Sequence, residues 1–306
     1  MTSSIKTVAL AGANGNIGKP VLEELLNQGY TVTVLSRPNS TSTYSDNVKV
    51  ARADFQNKAQ LVEALKGQDA FISTVGPEGS AGGGLLGEAA VEAGVKRYIP
   101  AEFGADTLHN PEIRSMPFFA PKIASQTKLE EVIASSSGKT TWTHVYPNLF
   151  LEYCIQINVI ANLKQKQITL WDGGDVPYSA APLPAIAKAT VNVFKHLDET
   201  KNRAVKISSI TLTQKKFLAA AQKVLGAEGW DAKVKTTQSA KEESFAALKA
   251  DPANFMGWLF GFLNRASFSK EGGGDHSEDN DNELLGTPQV SEDDLEETIK
   301  QCAEIE

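Results

Sequence analysis

Val8-Ala9-Leu10-Ala11-Gly12-Ala13-Asn14-Gly15-Asn16-Ile17-Gly18 places glycines at 12, 15 and 18, between a strand-like apolar run and an amphipathic helical one. A side chain in that turn would keep an anion away from the backbone N–H groups at the helix start, and a third small residue lets helix and strand pack closely. The GxxGxxG spacing in this setting reads as a dinucleotide pyrophosphate cradle built from Gly12, Gly15, Ile17 and Gly18. Asn14 and Asn16 add either amide contacts to the phosphates or stability to the turn.

Working outward, short β-branched runs at 7–11, 31–35, 48–51, 70–75, 97–100 and 141–146 alternate with helix-length amphipathic runs at 17–28, 59–66, 85–93 and 119–134. That alternation predicts a Rossmann-type α/β fold, a doubly wound parallel sheet. Val21, Leu22, Leu25 and Leu26 turn one helix face to the sheet, and Gly29 and Gly94 close two helices. In such sheets ligands lie outside the carboxyl ends of the strands. The end of the second strand distinguishes the nucleotides, because a carboxylate there accepts from a ribose 2′-hydroxyl and an arginine pairs with a 2′-phosphate. Here the residues are Leu35-Ser36-Arg37-Pro38. Ser36 and Arg37 therefore favour NADP(H) over NAD(H). By the same topology Asp54 and Phe55 flank the adenine, and Thr74, Val75 and Gly76 line the ribose next to the nicotinamide.

The whole chain has 306 residues, 41% hydrophobic and 22% charged, with mean hydropathy −0.23 and a net charge of −7. This is a globular composition with no apolar run long enough to span a bilayer. Scattered basic residues do not form the cationic face that a nucleic acid requires. Residues 1–8 carry no secretory signal pattern, so a cytoplasmic location is expected. Cys154 and Cys302 read as reduced thiols, and His109, His144, His196 and His276 are dispersed, so no metal site is expected.

The first 155 residues form the expected nucleotide-binding domain, with the chain returning to it at about 184–208. Residues 156–306 are otherwise expected to form a smaller, mostly helical substrate lobe. A helix is expected to continue from Phe150 to about Leu163, followed by a strand at 167–171, helices at 184–196 and 213–225, and a strand at 204–208. Phe255, Trp258, Phe260, Phe262 and Phe268 sit at helical spacing and suit either core packing or an apolar ligand. Residues 270–283, with Gly272, Gly273 and Gly274 and six carboxylates, are expected to form a mobile acidic loop. Asp275, Asp279 and Asp281 lack the frame of a calcium loop. Ser291 is placed to cap a final helix at 292–303.

An ordinary short-chain dehydrogenase carries a YxxxK pair, and none of the six tyrosines has a lysine four residues on. The chain instead resembles the NmrA-like and isoflavone-reductase-like group of atypical short-chain dehydrogenases. The matching residues are the glycine loop, Arg37, Val75-Gly76 and Lys96-Arg97-Tyr98-Ile99-Pro100-Ala101-Glu102-Phe103-Gly104, which resembles a KRF-P-SEFG segment. Phe119-Ala120-Pro121-Lys122 resembles the group's FxxK, and Asn148-Leu149-Phe150 its NxF; together the likeness covers about residues 5–215. It implies that Lys122 lies beside the nicotinamide as general acid or base, a role that partial burial favours by lowering its pKa. A surface lysine at a helix start is the plainer reading, and Lys128 is a weaker candidate. Phe150 packs on nicotinamide, on substrate or in the core; Asn148 bonds cofactor or holds its loop. Two departures are Ala101, where the reductases carry serine, and a longer polar insert at 135–139.

The expected function is an NADPH-dependent reductase of a small aromatic or heterocyclic molecule. The alternatives are an NADP(H)-sensing regulator that signals to a protein partner, and a non-redox cyclase or isomerase on the same fold.

Overall fold

The computed structural model describes residues 4–76, 83–136 and 138–304. Residues 1–3 of the polar lead and Ser137 of the insert lie outside them. The strands are β1 (Thr7–Ala11), β2 (Thr31–Ser36), β3 (Lys49–Arg52), β4 (Ala70–Ser73), β5 (Arg97–Ile99), β6 (Thr141–Tyr146), β7 (Leu149–Phe150), β8 (Gln167–Trp171), β9 (Tyr178–Ala181), β10 (Arg203–Lys206), β11 (Ile210–Leu212) and β12 (Asp231–Lys235). The α-helices are α1 (Gly18–Asn27), α2 (Lys58–Leu65), α3 (Gly83–Glu92), α4 (Pro111–Arg114), α5 (Ala120–Ser135), α6 (Leu151–Gln156), α7 (Leu183–Asn192), α8 (Gln214–Leu225), α9 (Thr237–Ala250), α10 (Phe255–Phe268), α11 (Asn282–Leu285) and α12 (Glu292–Glu304).

Seven strands form one sheet in the order β10-β6-β5-β4-β1-β2-β3, with every pair parallel. The order in which strands are added reverses between β1 and β4, the switch point where doubly wound folds open a crevice. Alternation along β1 explains the layering. Val8 and Leu10 face Val21 and Leu25 of α1 and Ile186 and Val191 of α7, whereas Ala9 and Ala11 face Leu61 and Leu65 of α2 and Leu86 of α3. Because both faces of the central strands β1, β2 and β4 are covered, these are apolar or β-branched almost throughout, whereas the edge strand β3 is largely exposed.

At the sheet's outer half, Arg97 is fully buried. Its guanidinium donates to the hydroxyls of Thr141, Thr143 and Thr200 and to the carbonyl of Leu197. Burial pushes its pKa down to about 10, with Asp198 opposing the shift.

A second core gathers around Trp171, Tyr178, Phe217 and Phe268, with the ribbon β11-β9-β7 and the parallel pair β12-β8. Here the structure departs from the sequence reading in three places. The helix expected to run to Leu163 stops at Gln156, because Asn158 takes a left-handed φ of 60° and the N–H groups of Val159 and Ile160 turn back to the carbonyl of Cys154. The segment after Gly226 contains β12, whose five residues are all exposed, so no apolar run announces it. The acidic segment 270–283, expected as a mobile loop, is bonded to β10 in the manner of a strap. Arg203 grips both carboxylate oxygens of Asp281, at 2.7 and 3.2 Å, and Lys206 Nζ bonds Asp279 at 2.9 Å. Asp279 and Asp281 thus pair with the basic residues of β10, while the segment's other four carboxylates stay exposed.

Candidate active site

Gly12 ends β1 with φ +82°, and a Cβ there would meet Thr74 at 2.7 Å. A Cβ on Gly18 would come within 2.0 Å of the Gly12 carbonyl oxygen. The start of α1 is therefore pressed directly against the strand end, an approach that only glycine permits. Gly15 N–H closes the turn on Gly12 O at 2.9 Å, and Thr74 fixes the end of β4 by bonding Ala11 O through both its N–H and its hydroxyl.

Beside this turn lies a cavity of about 760 Å³. Gly12, Asn14 and Gly15 form one side and Thr74, Val75 and Gly76 another, while Ser36, Arg37 and Phe55 close it at the β2 and β3 ends. Arg37 is exposed, and among the described residues its guanidinium has no protein partner. An unpaired guanidinium fork, a glycine cradle and a cavity of this size fit a phosphorylated dinucleotide.

Other residues named from the sequence do not line this cavity. Ile17 is buried in the core under α1. Asn16 and Gly18 lie just past the lining residues of the loop. Asp54 turns its carboxylate to the N–H of Gln56, stabilising its own turn. Conversely, the cavity includes Ser40, Ser42 and Tyr44, which the sequence reading did not single out, and Phe255, which that reading placed only in the C-terminal aromatic cluster. The first three belong to the hydroxyl-rich run that follows Arg37, a signal visible in sequence. Arg52 sets that turn by donating to the carbonyls of Arg37, Pro38 and Ser40.

The remaining candidates lie at the ends of β5 and β6, next along the same sheet edge. Lys122, in the first turn of α5, donates through Nζ to the carbonyl oxygen of Glu102 at 2.5 Å. Desolvation lowers its pKa, and Glu102 opposes part of that shift. Lys128 is instead a surface lysine held by Glu88 and Glu131. The Glu102 carboxylate is buried and accepts from Thr107 Oγ1 at 2.6 Å; Gln126 and Tyr146 complete the cluster around that hydroxyl. His144 Nδ1 lies 3.2 Å from Tyr146 OH, and burial drives its pKa down to about 4.

Asn148, at φ 56°, donates to the carbonyls of Ser179 and Gly274, and so ties the β6 loop to the strap. Phe150 is half-buried between the two main cores. Asn148, Phe150 and Lys122 all fall outside the lining of the 760 Å³ cavity. The described residues hold no group of His, Cys, Asp or Glu that could bind a metal ion, and no helix among them is long and apolar enough to cross a membrane.

The profile of the NmrA-like family matches residues 4–253. The chain belongs to the NmrA-like family. Among relatives of this NmrA-like protein, oxidoreductase aprR of Aspergillus flavus is 32% identical over 223 residues, covering 72% of this chain and 74% of that one. Oxidoreductase poxI of Penicillium oxalicum is 30% identical over 254 residues, covering 81% and 78%. The fold matches a crystal structure of isoflavone reductase with a TM-score of 0.76 at 17% identity, over 97% of this chain and 99% of that one. It also matches quinone oxidoreductase QOR2 of Escherichia coli complexed with NADPH, with a TM-score of 0.72 at 17% identity over 96% and 99%.

Proposed function

We propose that this NmrA-like protein is an NADPH-dependent reductase of a small aromatic or heterocyclic molecule, with Lys122 as its general acid or base. It is an oxidoreductase, like the relatives that it matches over most of its length. The observation that carries the reading is the pairing, along one sheet edge, of an unpartnered Arg37 in a glycine-lined cavity with a desolvated Lys122 tethered to Glu102. NADPH supplies the hydride when bound.

Arg37, with Ser36, Ser40 and Ser42 around it, holds the 2′-phosphate, and the Gly12–Gly15 turn receives the pyrophosphate. Lys122 then gives a proton to the anion that develops on the substrate, and its lowered proton affinity brings it nearer to the working pH. An aromatic acceptor suits the wall formed by Phe255, which lies 4.9 Å from Trp258 and 6.1 Å from Phe118 between ring centroids. In this reading residues 1–155 bind the nucleotide, and much of 156–306 shapes the acceptor's site.

The deciding experiment is parallel calorimetric titration with NADPH, NADP+ and NADH. Selective binding of the phosphorylated pair supports the reading. Clear preference for NADP+ over NADPH with no NADPH turnover favours a sensor, and binding of none of the three overturns the redox assignment.

A further inference from the structure

A second cavity, of about 430 Å³, lies in the C-terminal lobe and shares no residue with the nucleotide cavity. One wall is a single face of the β8–β12 ribbon. The parallel register sets Gln167 beside Asp231, Thr169 beside Lys233 and Trp171 beside Lys235, and the two-residue period brings these side chains to the same side. The opposite wall is α10, from which Phe260 and Asn264 project one helical turn apart. Residues 158–162 close the space between them.

The lining has a definite chemical character. Asn264 is only 9% exposed, yet among the described residues its amide has no hydrogen-bond partner. Its polar atoms are not sealed off from solvent, so the amide faces the cavity with its hydrogen-bonding capacity open to a ligand's polar group. Trp171 and Phe260 offer apolar surface on facing walls. Asp231 is neutralised by Lys233 at 3.0 Å, and Lys235, with no ion pair among the described residues, is the uncompensated charge of the lining, since the neighbouring Asp172 carboxylate lies outside the lining and is bonded to Thr237.

We propose that this cavity is a binding site for a small amphipathic aromatic anion, with its ring between Trp171 and Phe260, a polar substituent on Asn264 and its acid group toward Lys235. The cavity is separate from the nucleotide cavity, with which it shares no residue, and also from Glu102 and Lys122, neither of which lines it. Helix α10 nevertheless joins the two cavities. Phe255 touches the nucleotide cavity and Asn264 touches this one, about 13 Å further along the helix axis.

The test is calorimetric titration of the full chain with 1-naphthoate, and with 1-naphthalenemethanol as its neutral counterpart, with and without saturating NADP+. Saturable binding of the acid is expected regardless of NADP+, weakened about tenfold by Asn264→Leu and about threefold by Lys235→Glu, and retained in Arg37→Ala. Three results with the parent chain, Arg37→Ala and the neutral probe overturn the proposal. One is the absence of saturable binding up to about 5 mM. Another is competition by NADP+ together with loss of binding in Arg37→Ala, which puts the probe in the nucleotide cavity. The last is equal binding of the neutral alcohol. Should Asn264→Leu not fold, Lys235→Glu on the exposed strand decides, and unchanged affinity there also overturns it.

Discussion

Lys122 and Glu102 are joined twice. The lysine's Nζ donates to the Glu102 carbonyl oxygen at 2.5 Å, while the buried Glu102 carboxylate, clamped by Thr107, opposes the lysine's desolvation. One residue therefore fixes where the ammonium sits and restores part of its proton affinity. Lys122→Ala should reduce kcat by about 100-fold or more while NADPH affinity changes little. Steady-state kinetics combined with calorimetry check this; unchanged turnover removes Lys122 from the reaction. Glu102→Gln takes away the charge that raises the lysine's pKa, so Lys122 loses its proton at lower pH. If Lys122 acts as the acid, the alkaline limb of the kcat profile should move toward lower pH.

His144 makes folding stability depend on pH in a defined window. Desolvation holds its folded pKa near 4, against the ordinary histidine value of 6.5. Above pH 6.5 it is neutral in both the folded and unfolded chain and subtracts nothing. Between pH 6.5 and about 4 only the unfolded chain binds the proton, so stability falls across that interval, by about 3 kcal/mol in all. Urea unfolding at stepped pH should show this slope, and His144→Phe should flatten it. An unchanged slope in the variant would assign the acid sensitivity to other groups.

Arg37 separates the two nicotinamide cofactors. Its guanidinium has no protein partner to lose among the described residues, so Arg37→Ala should leave the fold intact and weaken NADPH by about tenfold or more. NADH binding should be nearly unaffected, because NADH has no 2′-phosphate to meet the arginine. Equal loss for both cofactors in parallel titrations would show that Arg37 acts through the turn at residues 37–40, which Arg52 also braces.

The sheet was legible because its strands carry the signal that the environment demands. Thr7–Ala11 and Thr141–Tyr146 are covered on both faces and are apolar or β-branched almost throughout, so their limits coincide with the runs in the sequence. The glycine turn was legible for a similar reason, since the clash at Gly18 leaves no other residue type. The lobe was harder to read. β12 is polar and exposed, and what makes it a strand is pairing with β8, more than sixty residues earlier. The strap read as loose because a carboxylate-rich run looks solvated until the cations of β10, some eighty residues earlier, are placed beside it. In the site, Ser40, Ser42 and Tyr44 were visible as a hydroxyl-rich run but had no place until the turn was built. Phe255 had no local signal linking it to the nucleotide cavity.

Gly18→Ala tests the close approach directly. Its Cβ would lie 2.0 Å from a backbone oxygen and 2.9 Å from Thr74 Oγ1, and the backbone has no rotamer with which to escape. Helix α1 must shift outward, disturbing the packing of Val21 and Leu25 and displacing the N–H groups at its start. A loss of about 1–3 kcal/mol in stability, with a larger proportional loss of NADPH affinity, is expected. Gly67→Ala is the control. It has positive φ but open space around it, so its effect should be backbone strain alone, with no change in nucleotide binding.

The strap yields the last prediction. Asp281 receives both guanidinium nitrogens of Arg203 and the N–H of Lys206, while further back Gly274 O accepts from Asn148 and from Ser179 N–H. The acidic segment is thus fastened at one end to β10 and at the other to the loop after β6, which leads into Phe150. Asp281→Ala cuts the first anchor and leaves Arg203 without its carboxylate. Limited proteolysis should then cleave within residues 270–281 several times faster than in the parent chain, because protease access follows local opening. High salt should produce a weaker version of the same effect, since these ion pairs are only partly shielded. If cleavage there is equally fast in both proteins, the anchors do not hold the segment and it behaves as the mobile loop that its composition suggests. If the strap loosens but Asn148 stays bonded to Ser179, NADPH turnover should persist; its loss would show that the strap holds the β6 loop in its working position.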